Sequence, residues 1–408
     1  MMKQAGAILL VMISASEADS SLSYSFSSSF SFVDSTSSSL PPTARTEETN
    51  QPTFALSPTQ PLPISTEAPT QRLQRTNFPI TVLPLPTVLQ SDVADLEAAI
   101  TQAFGLRPGY NEPCEPCPLG DRIGELVRLT FHDGAAGRSN GCIDFDEPHN
   151  AGLQPAVARL LPLCNGFVSK GISVADCYVV AGALAIRYAS TTSTVGPNNE
   201  PFVPERISQP LLLPTRFGRP DEISCSDIGL LPHADDSWAT MQSFFVSRFR
   251  LTNTEIVAIM GAHTLGRAEK ANLGFEGGWT NYQASFSNLF YVMMVARDWR
   301  RDCVRDPDPT PPDCIPHQWR EPRPHLALTV DVELVITPTD GCNHFGAATP
   351  TLAGPRPLQG NVCPLNGAGI GSFQSFAEPG GTQRWWALFA SAWKKVTESG
   401  HEGLQDAV

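Results

Sequence analysis

The sequence has few charged residues and no long apolar run, and both shortages exclude classes of protein. Only 17% of the 408 residues are charged, and 28 Lys and Arg stand against 41 Asp and Glu, for a formal net charge of -13. Nucleic acids and anionic membrane surfaces are bound mainly through Lys and Arg, so this balance argues against both as partners. A transmembrane helix needs about 18 or more consecutive apolar residues. The sequence contains no such stretch, so a membrane span is not expected.

The sequence also lacks an Asn-x-Ser/Thr sequon, so N-glycosylation is not expected. It does contain 10 cysteines, an even number that is typical of disulfides in an oxidising compartment. Cys114 and Cys117 form a CxxC motif, which could also indicate a zinc or redox site. No second CxxC follows at the spacing of a zinc ribbon, so the disulfide interpretation is favoured. The pairing of the cysteines cannot be deduced from sequence.

Three segments follow one another along the chain. Residues 1–18 have a Lys, a short apolar run and then small residues before a cleavage position near Asp19, which is the pattern of a secretory signal peptide; an ordinary apolar N-terminus is the alternative. Residues 19–76 are rich in Ser, Thr and Pro, a composition typical of a disordered and often O-glycosylated spacer. Residues 77–408 are predicted to form the folded domain. We therefore expect a secreted, extracellular protein.

The folded domain is predicted to be mainly α with long connections and few short strands. Helical spacing of apolar residues and capping-box spacing at Ser173 and at Thr252 support this prediction. The predicted helices cover 93–104, 122–132, 152–163, 172–189, 237–248, 251–261, 285–299 and 383–398. The best strand candidate is 326–336.

Two segments contain residue types suited to catalysis. Arg128 and His132 are four positions apart and so share one face of a predicted helix. A permanent cation beside an imidazole can polarise a bound oxygen species while its proton moves, although such a pair is more often a solvated helix face. His263 follows Gly261 at a predicted helix end, where a lone His is more often structural.

Together and in this order, the segments RLTFHD (128–133) and GAHTLGRA (261–268) resemble the heme peroxidase superfamily of plants, fungi and bacteria. The resemblance covers roughly residues 77–404. Connecting motifs agree with it: NAGL at 150–153, FGRPD at 217–221, GFEGGWT at 274–280 and LALTVDVEL at 326–334. They are closest to the branch of ascorbate and cytochrome c peroxidases, and to a secreted ascorbate-peroxidase-like group of invertebrates. The resemblance implies a fold in which helices sandwich one heme b between distal and proximal halves.

The resemblance assigns the proximal half to three residues. His263 would be the axial ligand of the heme iron, Asp331 would accept a hydrogen bond from its other ring nitrogen, and Trp279 would also donate to Asp331. A second-shell carboxylate of this kind orients a ligating imidazole and raises its basicity.

The distal half is assigned to the catalytic residues Arg128, His132 and Asn150. His132 would move the peroxide proton, Arg128 would stabilise developing charge, and Asn150 would fix the tautomer of His132. Phe131 would lie against the heme, where the cytosolic members usually have Trp. Arg219 falls in the loop that resembles the family's heme edge.

Three departures from the family pattern affect ligand predictions. Asn272 stands where an Arg helps to bind ascorbate, so ascorbate is not expected to be a good donor. Asp133 is present at the distal calcium position, but Asn140 and Cys142 replace the other ligands, so calcium is disfavoured. At the proximal cation position Thr264 and Thr280 are present with Tyr282 and Ser287, which leaves a monovalent cation open. Three carboxylates for a manganese site cannot be placed from sequence.

The predicted function is that of a heme-dependent peroxidase that reduces hydrogen peroxide and oxidises a small, phenol-like donor by one electron. We expect a monomer. The alternative is a non-catalytic matrix or adhesion protein built on the same scaffold, in which the Ser/Thr/Pro segment would be the functional part. The complete set of motif residues favours the enzyme.

Overall fold

The computed structural model describes residues 87–108, 114, 116–191, 207–225, 231–303, 317–321, 325–338, 342, 344–346 and 363–408. The predicted signal peptide (1–18), the Ser/Thr/Pro-rich segment (19–76) and the predicted domain start at residue 77 lie outside these ranges. None of the helices within them is both long enough and apolar enough to cross a membrane.

The described residues are mainly α-helical, as the sequence predicts. In chain order the α-helices are α1 (Gln90–Phe104), α2 (Pro118–Gly137), α3 (Gln154–Asn165), α4 (Val174–Ser190), α5 (Trp238–Phe249), α6 (Asn253–Met260), α7 (Lys270–Leu273), α8 (Leu289–Ala296), α9 (Thr329–Val332), α10 (Ile370–Ala377) and α11 (Gly381–Glu398). Each of the eight predicted helices overlaps one of them, whereas α7, α9 and α10 were not predicted.

The predicted helix starts are explained by caps. The Ser173 side chain accepts a hydrogen bond from the backbone N–H of Asp176, which begins α4. Thr252 and Glu255 form a complete capping box at the start of α6. Lys395 and the Thr252 backbone also bind the Glu255 carboxylate, and although burial opposes them they hold its pKa down to about 2. The helix that leads to His263 is thereby fixed at its first turn.

Helix α2 packs closely on the buried helix α4. The Thr130 hydroxyl donates to the Tyr178 carbonyl at 2.6 Å, and Gly182 leaves so little room that a Cβ there would lie 2.3 Å from Thr130 Oγ1. The close approach positions the end of α2 that contains His132.

The described strands are short, as predicted for the fold. They are β1 (Arg267–Ala268), β2 (Gly277–Gly278), β3 (Asp298–Cys303), β4 (His317–Arg320), β5 (Leu326–Ala327) and β6 (His344–Gly346). β1 and β2 form an antiparallel pair, and the other four form an antiparallel sheet in the order β5-β4-β3-β6.

Two element predictions are too long. The helix predicted over 285–299 begins only at Leu289 and stops at Ala296, because Trp299 pairs with Phe345 of β6 in the sheet. The strand predicted over 326–336 is limited to Leu326–Ala327, and the chain then turns into α9. The Asp331 carboxylate accepts the Leu328 backbone N–H at 2.9 Å, which favours a helical turn over an extended chain.

Eight of the ten cysteines are paired within the described residues. The disulfides are Cys114–Cys117, Cys142–Cys225, Cys164–Cys177 and Cys342–Cys363. The CxxC motif is therefore a disulfide, as predicted. Cys164–Cys177 joins the end of α3 to α4, and so ties together two helices that flank the distal side.

Candidate active site

A single cavity of about 480 Å³ brings the two predicted halves of the site together. Arg128, Phe131 and His132 of α2 line one wall. The opposite wall includes His263, Trp279 and Leu328, which come from three separate segments. Its lining is mostly apolar, and His132 and His263 are the imidazoles on the two walls.

His263 lies on the 3₁₀ turn Gly261–Thr264 that continues α6. Gly261 allows this turn to sit against two large side chains, since a Cβ there would lie 2.2 Å from the Tyr291 hydroxyl and 2.7 Å from the Trp385 ring. The indole N–H of Trp385 donates to the Ala258 carbonyl at 2.8 Å, which holds α11 against α6. Tight packing behind the turn fixes the position of the imidazole.

The proximal hydrogen bonds determine which nitrogen of His263 faces the cavity. The Asp331 carboxylate accepts from His263 Nδ1 at 2.6 Å, from Trp279 Nε1 at 2.8 Å and from the Leu328 backbone. With Nδ1 used as a donor to Asp331, Nε2 is the nitrogen left to bind a metal. The Trp279 ring is stacked on His263, with centroids 4.5 Å apart.

The distal hydrogen bonds determine the tautomer of His132 by the same logic. The Asn150 amide nitrogen donates to the Asp144 carbonyl at 2.7 Å, so its oxygen must face the other way. That oxygen lies 2.7 Å from His132 Nδ1, which is therefore the donor. The other ring nitrogen, Nε2, is left as a base.

The environment of His132 keeps the imidazole neutral. Burial, together with the positive charge of Arg128, lowers the pKa of His132 to about 3, against the opposing hydrogen bond to Asn150. A neutral imidazole can accept a proton across the ordinary pH range.

Arg128 is held by the segment that contains Asn150. Its guanidinium donates to the Ala151 carbonyl at 2.9 Å and to the His149 carbonyl at 2.5 Å. Burial lowers the pKa of Arg128 to about 10, so it stays charged at physiological pH. The cation and the base are thus oriented by one short stretch of chain.

Arg219 is the predicted cofactor-binding residue that neither lines this cavity nor hydrogen-bonds a residue that does, whereas Asp331 reaches the site through His263. It is buried in an ion pair with Asp176 at 2.8 Å, and its Nε donates to the Thr397 carbonyl. Leu231 and Pro232, which follow Arg219 in the same motif region, do line the cavity. Arg219 therefore connects α4 to α11, and it is the later part of this region, from Leu231 onward, that reaches the cavity.

Four carboxylates line the same cavity, Asp121, Glu125, Asp235 and Glu269, and none of them was predicted from sequence as a site residue. Burial is the main cause that raises the pKa of Glu125, and the charges of Asp121 and Glu269 act in the same direction. Asn272 also lines the cavity and donates to Glu269 at 3.2 Å. Asp121 and Glu125 share a face of α2 at i,i+4, a spacing that could have identified two of the four carboxylates. Within the described residues, no group of three or more His, Cys, Asp or Glu side chains is arranged to hold a metal ion.

The residues of the predicted cation positions are largely buried. Asp133 accepts hydrogen bonds from the backbone N–H groups of Asn140 and Gly141, and burial raises its pKa to about 7. Thr264 and Ser287 are both buried as well. That calcium is disfavoured at the distal position, and that a monovalent cation is open at the proximal one, both stay predictions.

The residues present fit a heme. The cavity is mainly apolar, His263 presents Nε2 from one wall, and Arg128 and His132 stand on the other wall with a ring, Phe131, beside them. His263 would ligate the iron, and Phe131, Leu328 and Trp279 would supply apolar or aromatic surface.

Comparison with known proteins agrees with this arrangement. The family described as "Peroxidase" matches residues 98–309. L-ascorbate peroxidase 5, peroxisomal, of Arabidopsis thaliana is 35% identical over 183 residues, which cover 42% of this chain and 57% of the relative. A putative heme-binding peroxidase of Pyricularia oryzae is 34% identical over 44% of this chain and 57% of its own. Mitochondrial cytochrome c peroxidase of Candida glabrata is 29% identical over 52% of this chain and 54% of its own. The match thus spans little more than half the length of each relative.

Proposed function

Because the chain belongs to the peroxidase family, near the branch of ascorbate and cytochrome c peroxidases, we propose that it is a secreted enzyme that reduces hydrogen peroxide with electrons from a small donor. The observation that carries this proposal is the single cavity with a carboxylate-bound His263 on one wall and the Asn150-bound His132 on the other. We propose heme b as the cofactor and a monomer as the active form.

When bound, the heme supplies an iron centre that exchanges electrons with peroxide and with the donor. The chain's own residues prepare the protons and charges around it. His132 Nε2 takes the proton from one peroxide oxygen and returns it to the other, since its Nδ1 is occupied by Asn150. Arg128 places a fixed positive charge on the same wall, which stabilises negative charge on the leaving oxygen.

The hydrogen-bonded group around Asp331 has a complementary role. The Asp331 carboxylate accepts hydrogen bonds from both His263 and Trp279. The bond from His263 Nδ1 raises the basicity of the imidazole and makes Nε2 a stronger ligand for the iron. The stacked Trp279 ring places a polarisable surface beside that imidazole.

The donor is proposed to be a neutral, phenol-like molecule. Asp121, Glu125 and Glu269 line the cavity. Asn272 also lines it, at the position where the peroxidases that this motif resembles have an Arg that helps to bind ascorbate. An anionic donor such as ascorbate is repelled by these carboxylates and finds no cationic partner at Asn272, whereas a neutral phenol feels neither effect.

Secretion is proposed from the pattern of residues 1–18 and is supported by the four disulfides. The test is N-terminal sequencing of protein recovered from the medium of secreting cells. A start near Asp19 is expected, whereas intracellular protein that retains Met1 would contradict the proposal.

The test of activity uses the full chain loaded with heme. A Soret band is expected, and it should shift when hydrogen peroxide is added and return when guaiacol is supplied. His263→Ala should lose much of the heme affinity, since it removes the proposed axial bond, while His344→Ala on β6 should not. A heme-loaded protein whose Soret band is indifferent to peroxide would contradict the enzyme and favour a non-catalytic scaffold.

A further inference from the structure

Two histidines outside the proposed catalytic set face each other at the edge of the cavity. His149 Nε2 lies 3.2 Å from His233 Nδ1, and both residues belong to the cavity lining. His149 precedes Asn150 on one side, and His233 follows Pro232 on the other. Neither side chain has a part in the peroxide chemistry described above.

The tautomer of His149 is fixed by a carboxylate. Glu147 Oε1 lies 2.5 Å from His149 Nδ1 and also accepts the His149 backbone N–H at 3.3 Å. Nδ1 is therefore a donor, and Nε2 presents its lone pair toward His233. A carboxylate that holds the far nitrogen of an imidazole is the usual second shell of a metal-ligating histidine.

Two imidazole nitrogens at this distance need a hydrogen atom or a metal ion between them, because two lone pairs would otherwise face each other. The shape of the contact distinguishes the two cases. The ring centroids are only 4.4 Å apart while the two nitrogens are 3.2 Å apart, so the rings meet at a bend and not end to end. A hydrogen bond prefers a donor angle above about 150°, and adjacent ligands of one metal meet at a bend of this kind.

The separation also matches metal coordination. With metal–nitrogen bonds of about 2.0–2.1 Å, two ligands lie about 3.3 Å apart at a tetrahedral angle and about 2.9 Å apart at a right angle. The observed 3.2 Å falls between these values. His233 is exposed, and the His149 side chain is 26% exposed, so an ion can enter from solvent.

The local charges favour a cation at this position. Glu147 and Asp236 both contact the pair, the latter through a 2.8 Å hydrogen bond from the His233 backbone N–H, and Asp235 lines the same cavity. Arg128 is the opposing charge, but it is engaged with the His149 and Ala151 carbonyls.

We propose that His149 Nε2 and His233 Nδ1 form a site for a divalent transition metal ion that prefers imidazole, such as Cu²⁺ or Zn²⁺. Water completes the coordination, and Glu147 orients His149. Imidazole ligands select such ions over Ca²⁺ and Mg²⁺, and Cu²⁺ binds most tightly in the usual order. A bound ion would tie the segment that positions Asn150 and Arg128 to the opposite edge of the cavity.

The test measures Cu²⁺ binding to the heme-loaded full chain by isothermal titration calorimetry and by electron paramagnetic resonance. We expect one Cu²⁺ per chain, with a signal split by two nitrogens. His233→Ala and His149→Ala should each weaken binding by at least about tenfold and reduce the nitrogen splitting, and Glu147→Ala should weaken it by about 10- to 100-fold. His344→Ala is the matched control and should bind as wild type, and Ca²⁺ should not compete.

Two results would overturn the proposal. One is wild type that takes up no Cu²⁺ or Zn²⁺, and the other is uptake that persists unchanged in His233→Ala. His233 lies in an exposed loop, so this variant decides the matter even if His149→Ala fails to fold. The readout is metal binding without turnover, so its failure would leave the peroxidase proposal untouched.

Discussion

At the scale of single residues, the orientation of two imidazoles decides what the cavity can do. Asn150 and Asp331 each hold the Nδ1 atom of a histidine, so that both Nε2 atoms are available, one as a base and one as a ligand. The hydrogen-bond partner of His132 is a neutral amide, while the partner of His263 is a carboxylate. The same side chain thus has two chemical roles, each set by its hydrogen-bond partner.

The roles of His132 and Arg128 can be separated by substitution. His132→Leu removes the carrier of both proton transfers. It should lower the rate constant for the reaction with peroxide by up to about 10⁴-fold. Arg128→Leu should lower the same rate constant by about 10²-fold, because water partly replaces the lost stabilisation of charge. Stopped-flow absorbance of the heme-loaded variants measures both rate constants, and the reverse order would refute this division of roles.

The pH dependence of the same step reports the pKa of His132. The base works only in its neutral form, so the rate constant should fall as the pH drops through that pKa. Burial and Arg128 lower the pKa to about 3, so the rate constant should be flat through neutral pH and fall only in strong acid. Stopped-flow measurements in a pH series test this expectation, and a midpoint near the ordinary value of about 6.5 would contradict it.

The choice of donor is expected to depend on Asn272. Asn272→Arg adds a cation beside Glu269 at the cavity and should improve kcat/KM for ascorbate by about tenfold, the scale of one charge-assisted hydrogen bond. Guaiacol has no charge and should gain less. Steady-state kinetics with both donors decide the point, and efficient ascorbate turnover by wild type would place the donor elsewhere.

At the scale of elements, the contact between α2 and α4 sets the distal wall. The Thr130 hydroxyl donates to the Tyr178 carbonyl, and Gly182 leaves no room for a side chain at the crossing. Thr130 lies two residues before His132, so the packing of the two helices fixes where the His132 imidazole stands.

Gly182→Ala tests that contact. Its Cβ would lie 2.3 Å from Thr130 Oγ1 and 3.0 Å from the Trp393 ring, so α2 must shift. Overpacking of this kind costs about 1–3 kcal/mol, and the reaction with peroxide should slow as well. Gly371→Ala on α10 is the matched control, since a Cβ there meets nothing within 4 Å. Thermal unfolding and stopped-flow rates should change only for Gly182→Ala, and equal effects would disprove the packing argument.

At the scale of the whole molecule, four disulfides cross-link the described residues. The four pairs span very different lengths of chain, from 3 residues for Cys114–Cys117 to 83 for Cys142–Cys225. Since a cross-link restricts the unfolded chain more when its loop is longer, the contributions of the pairs should differ.

Replacing Cys142 and Cys225 together by Ala should lower the free energy of unfolding by about 4 kcal/mol, and replacing Cys114 and Cys117 by less than about 2 kcal/mol. Denaturant unfolding of the two double variants measures the difference. Equal losses would mean that loop length does not determine the stabilisation in this chain.

Elements and residues whose causes are local could be predicted from the amino-acid sequence alone. The capping residues Ser173 and Thr252 began the helices where predicted, because a cap acts within three residues. Arg128 and His132 reached one helix face because their spacing is set by the helix repeat. The motif order also indicated His263 and Asp331, which the structure joins by a 2.6 Å hydrogen bond.

Features that depend on contacts between distant segments could not be predicted in this way. Trp299 left the predicted helix because it pairs with Phe345, and Arg219 was drawn away from the cavity by Asp176. The disulfide partners and the approach of His233 to His149 likewise join residues far apart in the chain. Pairing of this kind has no signal in local spacing, because its free energy comes from contacts that exist only after the helices have packed.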